Sequence, residues 1–450
     1  MRQVGDHAVV LGASIGGLLA ASAVADFYRH VTIVERDTLP DGAQDRRSVP
    51  QAKHVHGLTP RGSAELEQLF PGLLDQLVLD GVPVWDDGDM AKVSFIIAGD
   101  SLPTIGMLNR EISMYFASRS HLEYRLRQRI QTAENVSICE AHDMVALTPS
   151  SDGSRVTGVR VKDRHNAAKE TVLASDLVVD ATGRGSRTPL FLEDLGYGRP
   201  AQELVTVHLT YASRQLRIAP GSLPERSVLA TPIPERPTTW VLQSQENDKW
   251  LLTVGAMGGK EPPTDLHGMV EFGRGLAPDH VLEAVAKADP IGEVRTHRTP
   301  SNWWRRYDRM RRFPAGLLVL GDAMCSFNPV YGQGMTVAAI EAKVLQDCLF
   351  NGAKDLPRRY FRAAAKAIGP AWQFASTSDL ALMGTRGTPS LPTRIANAYI
   401  ERVQAAMHDD LRVAEKFLRV ICTLDSPLSM FEPGFLFRVL RSGRCPARAT

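Results

Sequence analysis

Apolar runs of two lengths open the chain and predict a strand, a helix and a second strand. Residues 8–11 are apolar and include β-branched side chains, a pattern typical of a buried parallel strand. Residues 18–25 are apolar and rich in alanine, which favours a helix packed on a sheet. Residues 31–35 have the pattern of another strand. With a glycine-rich turn after the first strand, these elements predict a β-α-β unit within about 30 residues.

The pattern changes twice further along the chain. Residues 204–257 alternate or are rich in β-forming residues, with proline-rich connections, which predicts a separate sheet. Buried-strand patterns return near residues 180 and 320, and from residue 357 the pattern is mostly helical. The sequence therefore predicts an α/β fold with a discontinuous Rossmann-like nucleotide-binding domain (1–83, 110–195 and 299–355), an inserted mixed or antiparallel β-sheet domain that would cover the substrate (84–109 and 196–298) and a helical C-terminal region (356–450).

Composition narrows the class of protein but not its chemistry. The 450 residues carry a formal net charge of +2, with 23% charged and 44% hydrophobic residues, so no charge excess favours a nucleic-acid partner. No segment predicts an integral membrane helix. The five cysteines have neither metal-site spacing nor the spacing of a redox-active disulfide, which favours a reducing, cytoplasmic compartment. They are Cys139, Cys325, Cys348, Cys422 and Cys445.

The stretch "VVLGASIGGLLAA" has the outline of a dinucleotide-binding turn. In the G-x-G-x-x-G frame, Gly12 makes the tight turn and Gly17 lets the helix approach the strand, while Ser14 replaces the middle glycine. The helix N-terminus suits a diphosphate. Glu35 follows Gly17 by 18 residues, at a strand end where an acid can accept ribose hydroxyls. A secretory signal peptide and a glycine-rich turn without a ligand are the alternatives, and the turn does not distinguish NAD from FAD.

Two later stretches distinguish the nucleotide. They are "DLVVDATGRGSRTPL" and "LLVLGDAMCSFNPVYGQGMTVAAIEAK", and each is a predicted strand that ends in a turn of small residues. Asp322 stands at the second strand end, where its carboxylate can accept hydroxyls of a ribityl chain. Gly332 and Gly334 precede a helix whose free N–H groups could stabilise the electron-rich edge of an isoalloxazine ring. Both features favour a flavin nucleotide.

These motifs, together with "RRSVPQAKHVHGL", resemble a known family. The chain is similar to the flavoprotein monooxygenases of the para-hydroxybenzoate hydroxylase fold, and within them most to the epoxidases of polyether-antibiotic biosynthesis. The order and spacing of the motifs fit across roughly the first 350 residues. The resemblance implies that the nucleotide-binding domain binds FAD.

The resemblance also implies roles for individual residues. Gly12, Ser14 and Gly17, with Arg119, would hold the pyrophosphate, Glu35 the adenosine ribose and Asp322 the ribityl chain. The other implied cofactor contacts are Arg36, Arg47, Val49, Gln51, Val145, Asp180, Gly183, Gly332, Gly334 and Met335. Pro329, Gly332 and His56 are candidates to line the pocket beside the flavin, and no separate catalytic side chain is identified.

The activity implied is oxygen transfer. FAD would be reduced by NAD(P)H and react with O2 to give a flavin hydroperoxide, which epoxidises or hydroxylates an apolar, polyketide-like natural product. Trp240 and Trp250 of the inserted sheet would cover that substrate, or would fill the core of the sheet. Thr182 stands before Gly183 where many of these hydroxylases have aspartate, which weakens the case for NAD(P)H.

Other activities stay open at this point. Relatives of the resembled family are implied to keep FAD as a structural element in a redox-neutral [4+2], decalin-forming cyclisation. Halogenation is less favoured because no W-x-W-x-I-P stretch is present. The basic, apolar stretch "FLFRVLRSGR" near the C-terminus could lie on a membrane surface, although a packed helix explains it more simply.

Overall fold

The structure of the protein is a computed structural model that describes residues 3–109, 112–166, 169–382 and 391–442, without the side chains of 391–397. Residues 443–450 lie outside the described residues. They include Cys445 and the last two residues of the basic stretch "FLFRVLRSGR". No helix among the described residues is both long and apolar enough to cross a bilayer.

Eighteen strands and twelve helices form within the described part of the chain. The strands are β1 (Gly5–Leu11), β2 (Tyr28–Val34), β3 (Val84–Trp85), β4 (Val93–Ile97), β5 (Asp100–Ser101), β6 (Met114–Tyr115), β7 (Val136–Cys139), β8 (His142–Pro149), β9 (Val156–Asp163), β10 (Glu170–Ala174), β11 (Leu177–Asp180), β12 (Gln202–Arg217), β13 (Ser227–Ala230), β14 (Thr238–Gln245), β15 (Lys249–Ala256), β16 (Asp289–Arg305), β17 (Leu317–Val319) and β18 (Cys325–Ser326). The helices are α1 (Ile15–Ala25), α2 (Pro60–Leu69), α3 (Leu73–Leu79), α4 (Arg119–Gln131), α5 (Thr188–Asp194), α6 (Leu266–Phe272), α7 (Asp279–Ala286), α8 (Gly334–Phe350), α9 (Leu356–Leu382), α10 (Leu391–Met407), α11 (Leu411–Ile421) and α12 (Pro433–Arg441).

A five-stranded parallel sheet positions the predicted nucleotide-binding motifs. Its order is β17-β11-β1-β2-β7, and every neighbouring pair is parallel. Leu11 on β1 pairs with Asp180 on β11 and with Val34 on β2, and Asp180 pairs with Val319 on β17. The carboxyl ends of four strands therefore meet at one edge, where ligands bind in open α/β sheets. The predicted α/β class is confirmed.

The second large sheet has eight strands in the order β18-β16-β12-β15-β14-β13-β4-β5. All its pairs are antiparallel except the parallel pair of β13 and β4. Helices α6 and α7 share an apolar core with one face, where the buried Trp240 ring lies and its Nε1 donates to the Met269 carbonyl (3.0 Å). Trp250 packs against the same core. Both tryptophans therefore fill the core of this sheet rather than covering a substrate.

Strand β12 belongs to two hydrophobic cores. Val205 and Leu209 pack in the core of the parallel sheet, whereas Ala212 and Leu216 pack with α6 and α7. Its pairing with β16 is interrupted by register shifts after Thr206 and after Ser213. One continuous strand thus joins the two layers without a connecting loop.

A third core lies between the segment 85–116 and the C-terminal helices. Trp85 and Phe95 from the segment pack with Met407 from α10 and Phe417 from α11. Val439 of α12 is buried in the same core, while Phe437 and Leu440 of that helix stay exposed. The sequence did not predict this grouping, and the domain boundaries drawn from it stay a prediction.

Candidate functional site

The turn after β1 has the backbone geometry that its glycines permit. Gly12 has φ of +97°, and a side chain there would meet the Ala181 carbonyl. At Gly17 a Cβ atom would lie 1.7 Å from the Gly12 carbonyl oxygen, so α1 approaches β1 closely only because this residue is glycine. Helix α1 has no acidic residue in its first turn, and its N-cap, Ser14, makes no side-chain cap. The helix N-terminus is therefore suited to an anion.

Arg119 reaches this turn from the start of α4. Its Nη2 donates to the Ser14 hydroxyl (3.0 Å), and its Nε is buried without a hydrogen-bond partner. Burial lowers the pKa of Arg119, and the Glu123 and Asp322 carboxylates oppose that shift. The preceding residue, Ser118, is fixed by hydrogen bonds from its N–H (2.9 Å) and hydroxyl to Glu246. The structure thus brings together two of the residues predicted to hold the pyrophosphate.

Asp322 lies just beyond β17 in a short 3₁₀ helix, Gly321–Ala323. Burial raises the pKa of Asp322, and the nearby Arg184 and Arg119 cations oppose that shift. Arg184 is itself held by the Ser301 carbonyl (2.7 Å). No described residue donates a hydrogen bond to the Asp322 carboxylate, so its oxygens are available to a ligand. We call Ser14, Arg119, Arg184 and Asp322 the strand-end cluster.

Glu341 of α8 supports the backbone of this turn. Its Oε2 accepts a hydrogen bond from the Gly321 N–H (2.6 Å), and its side chain is fully buried. Burial raises the pKa of Glu341 well above its ordinary value, and the nearby Asp322 acts in the same direction. Glu341 therefore fixes the turn that carries Asp322 through this hydrogen bond.

Glu35 occupies the predicted place at the end of β2, but its oxygens have partners. Oε2 accepts from the Ala13 N–H (2.7 Å) and Oε1 from the Asp37 N–H (2.9 Å). The buried Arg46 also pairs with Oε2 through Nη1 (3.1 Å). Because both of its oxygens have partners in the protein, the Glu35 carboxylate stabilises the glycine turn through the Ala13 N–H.

Arg46 and Glu123 are residues that the sequence analysis missed. Arg46 Nε lies 2.8 Å from Glu123 Oε1, and Glu123 Oε2 accepts from the Ser14 hydroxyl (2.6 Å). Burial acts to lower the pKa of Arg46, but the Glu123 and Glu35 carboxylates outweigh it and raise that pKa. The one available signal was the spacing of Glu123, four residues after Arg119 on the same face of a predicted helix.

Three predicted cofactor contacts lie away from the strand-end cluster, and two of them are on the surface. Arg47 is exposed, in contrast to its buried neighbour Arg46. Arg36 is also exposed, and its Nε lies 3.7 Å from Asp143 Oδ1. Val145 is half-buried on β8, at the register shift of that strand. None of these three residues is brought into the strand-end cluster.

Asp180 organises its own turn. Its carboxylate is buried and accepts from the Thr182 N–H (2.9 Å) and from the hydroxyls of Thr182 (2.6 Å), Ser186 (2.5 Å) and Thr188 (2.5 Å). Thr182 is therefore a donor to Asp180, whereas a second carboxylate at that position would repel it. Gly183 follows with φ of +73° and open space beside it.

The loop after β18 lies beside open space. Gly332 has φ of +62°, and no atom lies within 4 Å of where a Cβ of Gly332 or Gly334 would stand. Pro329 is exposed, and Met335 packs partly against the core. A side chain at either glycine would therefore meet no neighbouring atom.

Two histidines reach the second sheet from residues 54–56. His54 Nδ1 lies 2.7 Å from the Ser213 hydroxyl, and its ring contacts Tyr211 edge to face (4.3 Å). His56 Nδ1 lies 2.8 Å from the His54 carbonyl oxygen. Burial lowers the pKa of both rings to about 3, helped by His297 for His54 and by Arg119 for His56. Both histidines are therefore neutral near pH 7, and the sheet face that they contact is polar.

Two other predicted cofactor contacts lie just before these histidines. Val49 is buried, and Gln51 is half-buried in the 3₁₀ helix Pro50–Lys53.

Within the described ranges, no group of three or more histidine, cysteine, aspartate or glutamate side chains could hold a metal ion.

The fold is that of flavin-dependent monooxygenases and halogenases. The p-nitrophenol 4-monooxygenase PnpA from Pseudomonas putida DLL-E4 matches with a TM-score of 0.64 and 14% identity, covering 99% of this chain and 100% of that chain. A triple mutant of the flavin-dependent brominase Bmp2 matches with a TM-score of 0.64 and 13% identity, covering 97% of this chain and 98% of that chain. At such identities the likeness shows the fold alone.

The chain belongs to the same family as Protein Rv3254 of Mycobacterium tuberculosis (strain ATCC 25618 / H37Rv). The two are 38% identical over 432 residues, which cover 94% of this chain and 90% of that protein. A kynurenine 3-monooxygenase of Salinispora arenicola (strain CNS-205) is 28% identical over 416 residues, covering 88% of this chain and 82% of that protein. No protein-family model matches the chain.

Proposed function

We propose that this protein is an FAD-dependent monooxygenase that uses O2 and NAD(P)H to oxidise a small molecule. The observation that carries the proposal is the strand-end cluster. It sets a carboxylate without a hydrogen-bond donor, Asp322, near the two arginines 119 and 184, at the edge of the sheet where the α1 N-terminus also lies. The shared fold and the kynurenine 3-monooxygenase relative support the same class.

The residues present fit FAD on three counts. The buried Nε of Arg119 lacks a partner, which suits a phosphate oxygen. The Asp322 carboxylate suits ribityl hydroxyls. The open space beside Gly332 and Gly334 suits a flat ring. Bound FAD would supply redox chemistry and O2 activation that the side chains lack.

The protein's own groups would bind and orient that cofactor. Ser14 and Arg119 would face the pyrophosphate, and the start of α8 would face the ring with its free N–H groups. The imidazoles of His54 and His56 are neutral near pH 7, so they would add no positive charge near a bound flavin. Their burial supports a role in excluding water rather than in moving protons.

The substrate is proposed to be an electron-rich natural product, epoxidised or hydroxylated as the resemblance to polyketide epoxidases implies. The second sheet modifies the expected pocket, because Trp240 lies in the core on its far face. The face that contacts residues 54–56 carries Tyr211, Ser213 and Gln243. These groups already bond to His54, Thr253, His56 and Thr299, so they place no demand on the substrate for a polar atom.

The first experiment tests the redox role of the cofactor. The purified protein is expected to show a flavin absorption spectrum, and anaerobic NADPH or NADH is expected to bleach it. Reduction with NADPH and NADH is measured separately, with and without candidate polyketides. A flavin that neither cofactor reduces under any of these conditions would contradict the monooxygenase and favour the redox-neutral cyclase.

Asp322→Asn is expected to weaken flavin binding by about 10- to 100-fold, because a hydrogen bond to a charged group contributes about 1.5–3 kcal/mol. The amide keeps the size of the side chain, and flavin affinity is measured by fluorescence titration. Asp279→Asn, an exposed carboxylate at the start of α7, is the matched control and should bind as the wild type does. Equal affinity in all three proteins would remove Asp322 from the binding site.

A further inference from the structure

A buried carboxylate outside the strand-end cluster joins α9 to the loop after β18. Asp379 Oδ1 accepts hydrogen bonds from Asn328 Nδ2 (2.8 Å) and from the Tyr331 hydroxyl (2.9 Å). Its Oδ2 accepts from the side-chain amide of Asn302 on β16. The side chains of Asp379, Asn328 and Asn302 are fully buried. Three donors from two other segments thus converge on one carboxylate.

The loop side of this contact is also well defined. Asn328 uses both ends of its amide, because Oδ1 accepts from the Val330 N–H (3.1 Å) while Nδ2 donates to Asp379. At the far end of the loop, Gln333 Nε2 donates to the Ile421 carbonyl (3.1 Å). The C-terminal helices therefore hold this segment at two points. We call residues 328–332 the anchored loop.

The charge of Asp379 changes near neutral pH. Burial raises its pKa to about 6, and the hydrogen bonds from Asn328, Tyr331 and Asn302 oppose that shift. Among the described residues, no charged side chain pairs with it, and the Tyr331 hydroxyl is the only titratable group bonded to it. The pKa of Tyr331 is raised by burial and by the nearby Asp379 carboxylate. The Tyr331 hydroxyl therefore keeps its proton between pH 5 and pH 8.

The protonated form has one acceptor within reach, but using it deprives the Asn302 amide nitrogen of its acceptor. The ionised carboxylate accepts all three donors. The Asn302 Oδ1 atom is buried without a hydrogen-bond partner, so a protonated Asp379 can donate to it once the Asn302 amide turns. Protonation thus exchanges one accepted hydrogen bond for a donated one and weakens the acceptor for Asn328 and Tyr331.

We propose that Asp379 is a positioning residue. Its carboxylate form holds the anchored loop, which begins two residues after Ser326, the acceptor of a hydrogen bond from Arg184 of the strand-end cluster. Its protonated form loosens the loop by giving up these hydrogen bonds while the side chain stays buried. The anchoring does not depend on the proposed function, whereas its effect on a flavin does. The C-terminal helices thereby determine the shape of the loop that borders the predicted cofactor.

Hydrogen exchange of the loop amides tests the anchoring directly. Peptides covering 328–334 are followed by mass spectrometry from pH 5 to pH 8 and corrected for intrinsic exchange rates. In the wild type, protection is expected to fall as the pH drops through about 6, the value to which burial raises the pKa of Asp379. In Asp379→Asn, protection is expected not to depend on pH. Removing one donor with Tyr331→Phe is expected to move the midpoint upward by about one pH unit.

Two further readouts separate this role from a purely structural one. An infrared carboxyl band that titrates near pH 6 should disappear in Asp379→Asn and persist in the control Asp347→Asn, an exposed carboxylate on α8. Flavin affinity should weaken below that pH in the wild type but stay constant in Asp379→Asn. The proposal is overturned if the loop protection of the wild type does not change with pH, or if it changes equally in Asp379→Asn. A protein that binds no flavin contradicts the proposed function, and the exchange experiment still tests the anchoring.

The stability of the whole fold depends on pH with the opposite sign, because global unfolding exposes Asp379 to water, whereas loosening of the loop keeps it buried and removes only the hydrogen bonds that lower its pKa. Because the folded-state pKa of Asp379 lies above its ordinary value of 3.8, the folded protein keeps this proton at a pH where the unfolded chain has lost it. The contribution of Asp379 to stability is therefore complete below that value and is lost as the pH rises through about 6. Asp379→Asn should remove this part of the pH dependence, as measured by thermal unfolding from pH 4 to pH 8.

Discussion

Gly17→Ala lowers the free energy of unfolding by about 3 kcal/mol or more, because overpacking a dense contact costs about 1–3 kcal/mol and occasionally more. A Cβ atom at this position would lie 1.7 Å from the Gly12 carbonyl oxygen, which is backbone and cannot move away as a side-chain end does. Relief would require α1 to separate from β1. Because α1 buries most of its residues against its neighbours, that movement would disrupt the core of the parallel sheet.

Gly16→Ala is the matched control for this substitution. The nearest atom to its added Cβ would be Leu320 Cδ2 at 3.7 Å, an ordinary contact. Alanine is favoured over glycine inside a helix by up to about 1 kcal/mol, so this variant should equal or slightly exceed the wild type in stability. Urea unfolding followed by circular dichroism measures all three proteins. Equal stability of the two variants would show that α1 does not need to approach β1 so closely.

The second large effect is expected at Asp180. Asp180→Ala removes the shared acceptor of one N–H and three hydroxyls. Leaving a buried donor unpaired costs about 1–3 kcal/mol, and some hydroxyls can rotate to other acceptors. We therefore expect a loss of about 4 kcal/mol, close to the cost of two unpaired donors.

Asp194→Ala controls for the loss of a carboxylate nearby. Asp194 is exposed at the end of α5, and such a surface change should stay within about 0.5 kcal/mol of the wild type. Thermal and urea unfolding are measured for both variants. If Asp180→Ala were as stable as Asp194→Ala, the four hydrogen bonds would not hold the turn that carries Gly183.

Local patterns allowed the first β-α-β unit and its glycines to be predicted. The positions of Gly12 and Gly17 depend on backbone contacts within a few residues, which a motif records directly. The partners of the C-terminal helices could not be predicted in this way. A helical pattern indicates that one face is apolar, but it does not say that Phe417 packs with Trp85, more than 300 residues earlier in the chain.

The site was predicted in part for the same reason. Ser14, Arg119 and Asp322 stand at ends of regular elements, where periodicity and motif fix their positions. Arg46 lies in an irregular segment, and without a period the sequence cannot tell which of two adjacent arginines is buried. Trp240 is different, because alternation in β14 places it with Leu242 on one face and Gln243 on the other. The sequence left both roles open for Trp240, and the structure places it in the core.

The shared strand β12 has a consequence for how the molecule unfolds. Val205 and Leu216 lie in different cores but on one unbroken strand. Because β12 itself runs from one layer to the other, a hinge between the layers would have to bend β12 and β16 at their register shifts. If one core melts, residues of the other core lose packing contacts along β12. The two layers should therefore unfold in one cooperative transition rather than one after the other.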